Sequence, residues 1–570
     1  MTLRRTMALL ILACVLMVLV GTALFILTVR SGPSIQRGAV LTVTLGGDLP
    51  EEASPSILGR LFSVEQRTFA DLVDLFRRAA ADDRVQAIVA RVTLNDLGWA
   101  RLQELRDAME EFTESGKTLA CHAEILTTRE YFLASACGTL DLPPSGIFAA
   151  PGIAAQVEFY KGALSKIGIE ADIEHVGAYK SAAEPLTREG MSSPAREQLD
   201  AILDAVYGVI LDGVAEDRGL GRDHVRALLD RGLLSPDQAR EGGLVDDLSY
   251  YDEVLDEVKE AVEGGAHEVD EDDYLRDVRA RRRPGRERIA VVYATGTIVD
   301  GESEQSGLMG RMLGSDTLVE ALKEAREDRA VKAVVLRIDS PGGSAPASDA
   351  IWREARRLRS GKPLVVSMGD VAASGGYWIA LGADAIVAQP LTITGSIGVV
   401  GGKFYVKPFY DWIGLTKQIL KRGRNADLFT DYSRFTEEQR SLVRLSMTSL
   451  YRQFLARAAE ARKKSVTEID HLGQGRVWTG SQGVQNGLVD DLGGLAEAIA
   501  LAREMAHLPE GRQVGIDIYP KRHGLLKELA AFDLVLSRVA APDPAREARL
   551  ADRLLREQAL ALMPFRLTIH

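Results

Sequence analysis

Two glycine-containing segments carry the residue types that acyl transfer needs: Ser340-Pro341-Gly342-Gly343-Ser344 and Asp370-Val371-Ala372-Ala373-Ser374-Gly375-Gly376-Tyr377. A serine followed by two glycines at a strand-to-helix junction projects its hydroxyl beside the positive end of the helix dipole, which suits a nucleophile. A tetrahedral acyl intermediate needs two N–H donors converging on its oxygen, and the amides of Gly343 and Gly375 are the candidates. Either motif alone is equally an ordinary turn or a tight helix entry. A third segment, His175-Val176-Gly177-Ala178-Tyr179-Lys180-Ser181, offers Lys180. A lysine serves a serine as general base only when neutral, so burial or nearby positive charge must lower its pKa well below ~10.4. His175 offers a Ser-His-Asp arrangement instead. An exposed lysine and a structural histidine are the plainer readings of both residues. The chain has no HExxH zinc spacing and no Walker loop, and no metal or cofactor is expected.

The elements that must position these residues occur twice. An offset of 246 residues aligns Leu72 with Leu318, Val85 with Val331, Arg91 with Arg337, Tyr131 with Tyr377, Gly168 with Gly414 and Gly177 with Gly423. With a two-residue adjustment, Gly243-Leu244-Val245-Asp246-Asp247-Leu248 recurs letter for letter as Gly487-Leu488-Val489-Asp490-Asp491-Leu492. The chain is a tandem duplication. In the second copy, strands are expected at Ile289–Ala294, Val331–Ile338, Pro363–Met368 and Ala385–Ala388, with helices over Ala345–Leu358 and from near Ser374. Such alternation means an α/β fold with a parallel sheet, whose ligands collect in loops at the carboxyl ends of strands, here Asp339–Ser344 and Gly369–Gly376.

The first copy is a built-in control. Opposite Pro341-Gly342-Gly343 it has Asn95-Asp96-Leu97, and opposite Ser374-Gly375-Gly376 it has Thr128-Arg129-Glu130, while Lys180 faces Ala426 of the second copy. Each copy lacks what the other holds, so one site per chain would unite Ser374 with Lys180.

At 570 residues with 46% hydrophobic and 26% charged side chains, the chain can bury cores of ordinary globular kind. A net charge of -12 argues against nucleic acid as the main partner. With Cys14 in an apolar run, Cys121 and Cys137 leave at most one bridge, so no disulfide framework holds the fold. Residues 7–29 pass without a charge, and at 1.5 Å per residue span about 35 Å, enough for a membrane-crossing helix. A cleavable signal peptide ending at Gly21-Thr22-Ala23 is the alternative, but strong hydrophobicity continues beyond it.

The segments Ser340-Pro341-Gly342-Gly343-Ser344, Ala372-Ala373-Ser374-Gly375-Gly376-Tyr377, Thr394-Gly395-Ser396-Ile397-Gly398 and Gly177-Ala178-Tyr179-Lys180-Ser181-Ala182-Ala183-Glu184-Pro185 resemble the signal peptide peptidase A (protease IV) family in its long, duplicated bacterial form. The resemblance implies a tandem Clp protease/crotonase-like fold, Ser374 as nucleophile, Lys180 as general base, and a homo-oligomer, a tetramer. It also implies apolar signal-peptide remnants as substrates, at the extracytoplasmic face of the bacterial inner membrane. The expected organisation is an anchor at 1–30, a lysine-bearing repeat at 38–265, a charged linker at 266–288, a serine-bearing repeat at 289–520 and a helical C-terminal extension at 521–570. Competing readings are a related protease of intact membrane or misfolded secreted proteins, a crotonase-type acyl-CoA enzyme and a non-catalytic scaffold.

Overall fold

β-branched runs with glycine punctuation produce two mainly parallel sheets, seen in a computed structural model that describes residues 35–52, 66–281, 285–306, 310–509 and 514–520 and the backbone of 560–562. The apolar segment 7–29 lies outside the described residues, and among those residues no helix is long and apolar enough to cross a membrane.

The first copy contains β1 (Ala39–Gly47), β2 (Val85–Asn95), α1 (Trp99–Glu114), β3 (Thr118–Ala123), α2 (Thr128–Ala134), β4 (Thr139–Asp141), β5 (Glu170–Val176), α3 (Ser193–Asp217), β6 (His267–Asp270) and α4 (Glu271–Arg281). Its five-stranded sheet runs β4-β3-β2-β1-β6 with every pair parallel. One disulfide, Cys121–Cys137, ties β3 to the segment after α2, with the Cα atoms 5.9 Å apart.

The second copy contains β7 (Arg288–Thr295), β8 (Thr297–Val299), β9 (Val331–Ser340), β10 (Gly342–Ser344), α5 (Ala345–Arg359), β11 (Leu364–Ala373), α6 (Gly375–Ala380), β12 (Ile393–Gly395), β13 (Val399–Tyr405), α7 (Glu437–Arg462), β14 (Val477–Thr479) and β15 (Gly515–Tyr519). Its main sheet runs β14-β12-β11-β9-β7-β15. The strands and helices expected here form at the expected places, but the two glycine segments are less loop-like. β9 runs to Ser340 and β11 to Ala373, because a register shift after Ile338 lets Ser340 pair with Ala372 and carries the ladder to the site.

Two expectations need correction. The charged stretch taken as a linker folds onto the first copy: β6 pairs with β1, and α4 buries Tyr274 and Leu275. Its charges hold it there, with Arg84 on Asp277, Arg279 on Asp71 and Arg67 on Glu271. The C-terminal extension, where described, is not helical: Leu560–Leu562 is a strand, β16. Leu560 and Leu562 are two residues apart, which puts them on one face of a strand and not on one face of a helix.

A further sheet joins the copies. In it β8, β10, β16, β13 and β5 lie side by side, so a strand of the first copy ends a sheet built mainly from the second. β5 runs antiparallel to β13 from Glu170↔Tyr405 to Val176↔Val399. Basic side chains of the second copy answer the acidic edge of β5, Arg434 on Glu170, Arg440 on Asp172 and Glu174, and Arg444 on Glu174. This junction delivers Lys180 to the second copy.

Candidate active site

Ser374 follows β11 directly and precedes α6, with φ 55° and ψ -111°, a sparsely populated conformation for a residue with a Cβ. Hydrogen bonds on both sides fix it: its N–H donates to Gly395 O at 2.8 Å, and its C=O accepts from Trp378 N at 2.8 Å. The two glycines after it are steric requirements. A Cβ on Gly376 would lie 2.8 Å from Ser340 O, and one on Gly375 would lie 2.6 Å from Ser348 Oγ and 3.1 Å from Gly343 N and Gly342 Cα. The start of α6 therefore rests directly on β10, and the amide of Gly343 is next to Gly375.

Lys180 arrives from the other copy through a turn after β5. Gly177 has φ +112°, and a Cβ there would lie 2.5 Å from the Gln474 carbonyl. Tyr179 N donates to Gln474 O at 2.8 Å, and Gln198 on α3 bridges Ser181 Oγ at 3.1 Å and Val477 N at 3.2 Å. The lysine stem threads between backbones: a Cβ on Gly475 would lie 2.6 Å from Lys180 Cα, and one on Gly398 would lie 3.0 Å from its Cδ.

The two residues meet. Lys180 Nζ and Ser374 Oγ are hydrogen-bonded at 2.7 Å, with Lys180 1% and Ser374 0% exposed. The amine also contacts Ser396 Oγ at 3.0 Å and Ser396 O at 3.1 Å. Burial alone pushes the lysine well below its ordinary pKa, with no carboxylate acting to restore the charge. His175 is elsewhere: it is exposed on β5, and its Nδ1 contacts Gly177 O at 3.0 Å. Ser396 is the site residue that reasoning from chemistry missed. It too has a positive φ, 52°, and its amide donates to Arg476 O at 2.7 Å. The only signal for it was its place in Thr394-Gly395-Ser396-Ile397-Gly398, a segment whose side-chain role is invisible in one dimension.

A buried ionic cluster from both copies underlies the glycine segments. Arg337 on β9, fully buried, donates to Glu51 at 2.9 Å and to Glu104 on α1 at 2.8 Å. Arg101 N donates to Asp370 Oδ1 at 3.0 Å, and its guanidinium pairs with the same carboxylate. Asp339, just before Ser340, accepts from Val371 N at 3.0 Å. Burial, with the Asp370 charge beside it, pushes the Asp339 carboxyl up to about 7 against the pull of Arg101. Among the described residues no cluster of His, Cys, Asp and Glu could hold a metal ion.

A serine-bearing turn in contact with a glycine strand, with a buried amine against the hydroxyl, suits a serine hydrolase. The chain belongs to peptidase family S49, whose family model matches it twice, over residues 111–264 and 356–509. It is similar to "Serine protease SPPA, chloroplastic" of Arabidopsis thaliana, 35% identical over 84% of this chain and 71% of that protein. "Protease 4" of Salmonella typhi is 33% identical over 89% of this chain and 84% of its own length. "Protease 4" of Haemophilus influenzae is 33% identical over 77% and 73%. The chain is thus a serine peptidase in the family's long, duplicated form, and the acyl-CoA enzyme and inert scaffold readings fall away.

Proposed function

We propose that this chain is a membrane-anchored serine endopeptidase that degrades cleaved signal peptides, with Ser374 as nucleophile, Lys180 as general base, and the amides of Gly343 and Gly375 as oxyanion donors. The observation that carries this is the buried 2.7 Å contact between Lys180 Nζ and Ser374 Oγ. Neutral at working pH, the amine accepts the Ser374 proton as Oγ attacks the substrate carbonyl carbon. The oxygen that becomes negative is met by the two amides. The ammonium then returns the proton to the leaving nitrogen as the peptide bond breaks. Water, deprotonated by the same lysine, hydrolyses the ester and restores the serine. Ser396 Oγ and C=O orient the amine through this cycle.

The 23-residue apolar segment 7–29 supports a single-pass anchor at the bacterial inner membrane. The Cys121–Cys137 disulfide supports catalytic repeats on the periplasmic side, since such bonds persist in oxidising compartments. The duplication supports a homo-oligomer, a tetramer by family resemblance. At the 246-residue offset the counterparts of β5 and β13 are residues 416–422 and 153–159, and neither is part of a strand in this chain. Trp412 before the segment 416–422 and Leu420 within it are 75% and 92% exposed. Head-to-tail pairing of 416–422 with 153–159 of the next chain would repeat the internal junction.

An enzyme for signal-peptide remnants must take extended apolar segments, bound by strand addition. In the full chain, peptides mimicking a signal-peptide core are expected to be cleaved at least ~10-fold faster, as kcat/KM, than acidic peptides of equal length. Equal rates would favour a protease of unfolded proteins at large.

A further inference from the structure

The sheet that joins the copies is continuous only because of three residues from the far end of the chain. β16 runs antiparallel to β10, with Leu562 opposite Gly342, Ala561 opposite Gly343 and Leu560 opposite Ser344. On its other side Leu560 is opposite Val400 of β13. Without β16, β10 and β13 would be separated by a slot one strand wide, about 9.5 Å between strand axes at the usual spacing. Both walls of that slot would present unpaired backbone N–H and C=O groups, which is the environment an extended peptide completes.

The slot borders the dyad. One wall is the strand of Gly342 and Gly343, on which Gly375 rests. The other wall, β13, begins three residues after Ser396. β16 advances from Ser344 toward Gly342, that is, toward the end of β10 that contacts Gly375. An extended apolar peptide on the acyl side of a scissile bond would follow the same path.

We infer that Leu560–Leu562 is a resident occupant of the substrate groove, a segment of the enzyme's own C-terminal extension that substrate must displace. Its sequence suits the place: Ala559-Leu560-Ala561-Leu562 alternates small and large apolar residues, the pattern of an apolar peptide bound as a strand. A tethered ligand competes at an effective concentration set by its tether and raises the apparent Kd and KM of every incoming peptide by one factor, leaving kcat alone. The inference rests on the Ser374 and Lys180 reading only for the statement that the groove serves catalysis.

The test is Ala561→Pro in the full chain. β16 is flanked by strands on both sides, so its central residue cannot lose its N–H without breaking a ladder. In a Ser374→Ala background, the Kd of a fluorescently labelled Leu/Ala decapeptide, read by anisotropy, is expected to fall at least ~5-fold when Ala561→Pro is added. Amide exchange across Gly342–Ser344 is expected to quicken in the same variant. With Ser374 present, KM is expected to fall by the same factor at constant kcat. An unchanged Kd in Ala561→Pro overturns the inference, and Leu562→Pro provides an independent second variant. If the labelled peptide binds more tightly in Ala561→Pro yet the Ser374 chain hydrolyses nothing, the groove inference stands and the dyad reading fails.

Discussion

The two copies share a frame and differ in what fills its active corner. Both hold the segment after the site in the same way: Tyr131 OH donates to Leu244 O at 3.1 Å in one, and Tyr377 OH to Leu488 O at 2.9 Å in the other. Arg218 grips Asp246 as Arg462 grips Asp490, and each aspartate accepts a strand amide, Leu140 N at 2.7 Å and Ile386 N at 2.8 Å. These bonds explain why Gly-Leu-Val-Asp-Asp-Leu is the same in both. At the corner itself the first copy has relaxed and filled in. Its helix is capped by Thr127 at φ -86° and takes Thr128, the counterpart of Ser374, into its first turn, where the second copy caps its helix with Ser374 itself at 55°. Glu130 Oε1 there accepts from Asn95 N at 3.2 Å and Asn95 Nδ2 at 3.0 Å, whereas its counterpart in the second copy, Gly376, has no room for a Cβ, which would lie 2.8 Å from Ser340 O. On one frame, the second copy has backbone strain and close backbone packing where the first has ordinary buried hydrogen bonds.

The largest expected contrast is between equivalent residues of the two corners. Ser374→Ala should reduce peptide hydrolysis roughly a thousandfold or more while leaving the melting profile unchanged, since it removes only the oxygen proposed as nucleophile. Thr128→Ala should leave kcat/KM within about twofold, because Thr128 Oγ1 donates to the backbone carbonyl of Gly152, at 2.7 Å. Equal losses in the two variants would mean that the first corner is still a working site.

Lys180 sharpens the contrast through its counterpart Ala426, which is exposed where Lys180 is buried. In the proposed mechanism activity requires the neutral amine, and burial depresses its pKa. Activity should therefore rise as pH increases through one ionisation that lies below ~10.4, and stay high above it. Lys180→Arg should be as inactive as Lys180→Ala, because a guanidinium keeps its proton. His175→Ala should retain activity, whereas a histidine base would place the break near ~6.5 and reverse both outcomes.

Much of this was legible in one dimension because duplication supplies its own control. Ser374 and Lys180 stand out as the places where one copy has a chemically capable residue and the other has Thr128 or Ala426. What stayed hidden depends on three-dimensional neighbours. Arg91 and Arg337 are aligned and identical, yet Arg337 is fully buried between Glu51 and Glu104 while Arg91 is exposed with its guanidinium 4.1 Å from the Tyr251 ring centroid. Helix α4 reads as a solvated linker because ion pairs hold it as much as apolar side chains do. Ser396 meets the Lys180 amine with a backbone carbonyl as well as a hydroxyl, and no residue type announces a carbonyl.

A smaller effect is expected where glycine meets its non-glycine counterpart. Gly375→Ala places a methyl 2.6 Å from Ser348 Oγ and 3.1 Å from Gly343 N. The start of α6 must then move away from β10, separating the two proposed oxyanion donors. A fall in kcat of about 10²-fold with little change in KM is the expected signature. Arg129→Ala, at the aligned position of the first copy, should leave kcat unchanged. A Gly375→Ala enzyme with full kcat would remove that amide from the mechanism.

The smallest effect tests whether the filled corner now serves stability. Glu130→Ala leaves Asn95 N and Nδ2 without their acceptor in a buried site, which should cost about 1–3 kcal/mol. Thermal unfolding should shift down by a few degrees while kcat and KM hold, because the corner belongs to the copy without Ser374. Glu130→Gln retains an oxygen for Asn95 and an amide group that can donate to Thr127 Oγ1, now paired with Glu130 Oε2, so it should recover most of the loss. If Glu130→Ala instead left the melting temperature unchanged but lowered kcat, the first corner would be coupled to the chemistry of the second, and the two copies could no longer be separated into a working site and a stabilised remnant.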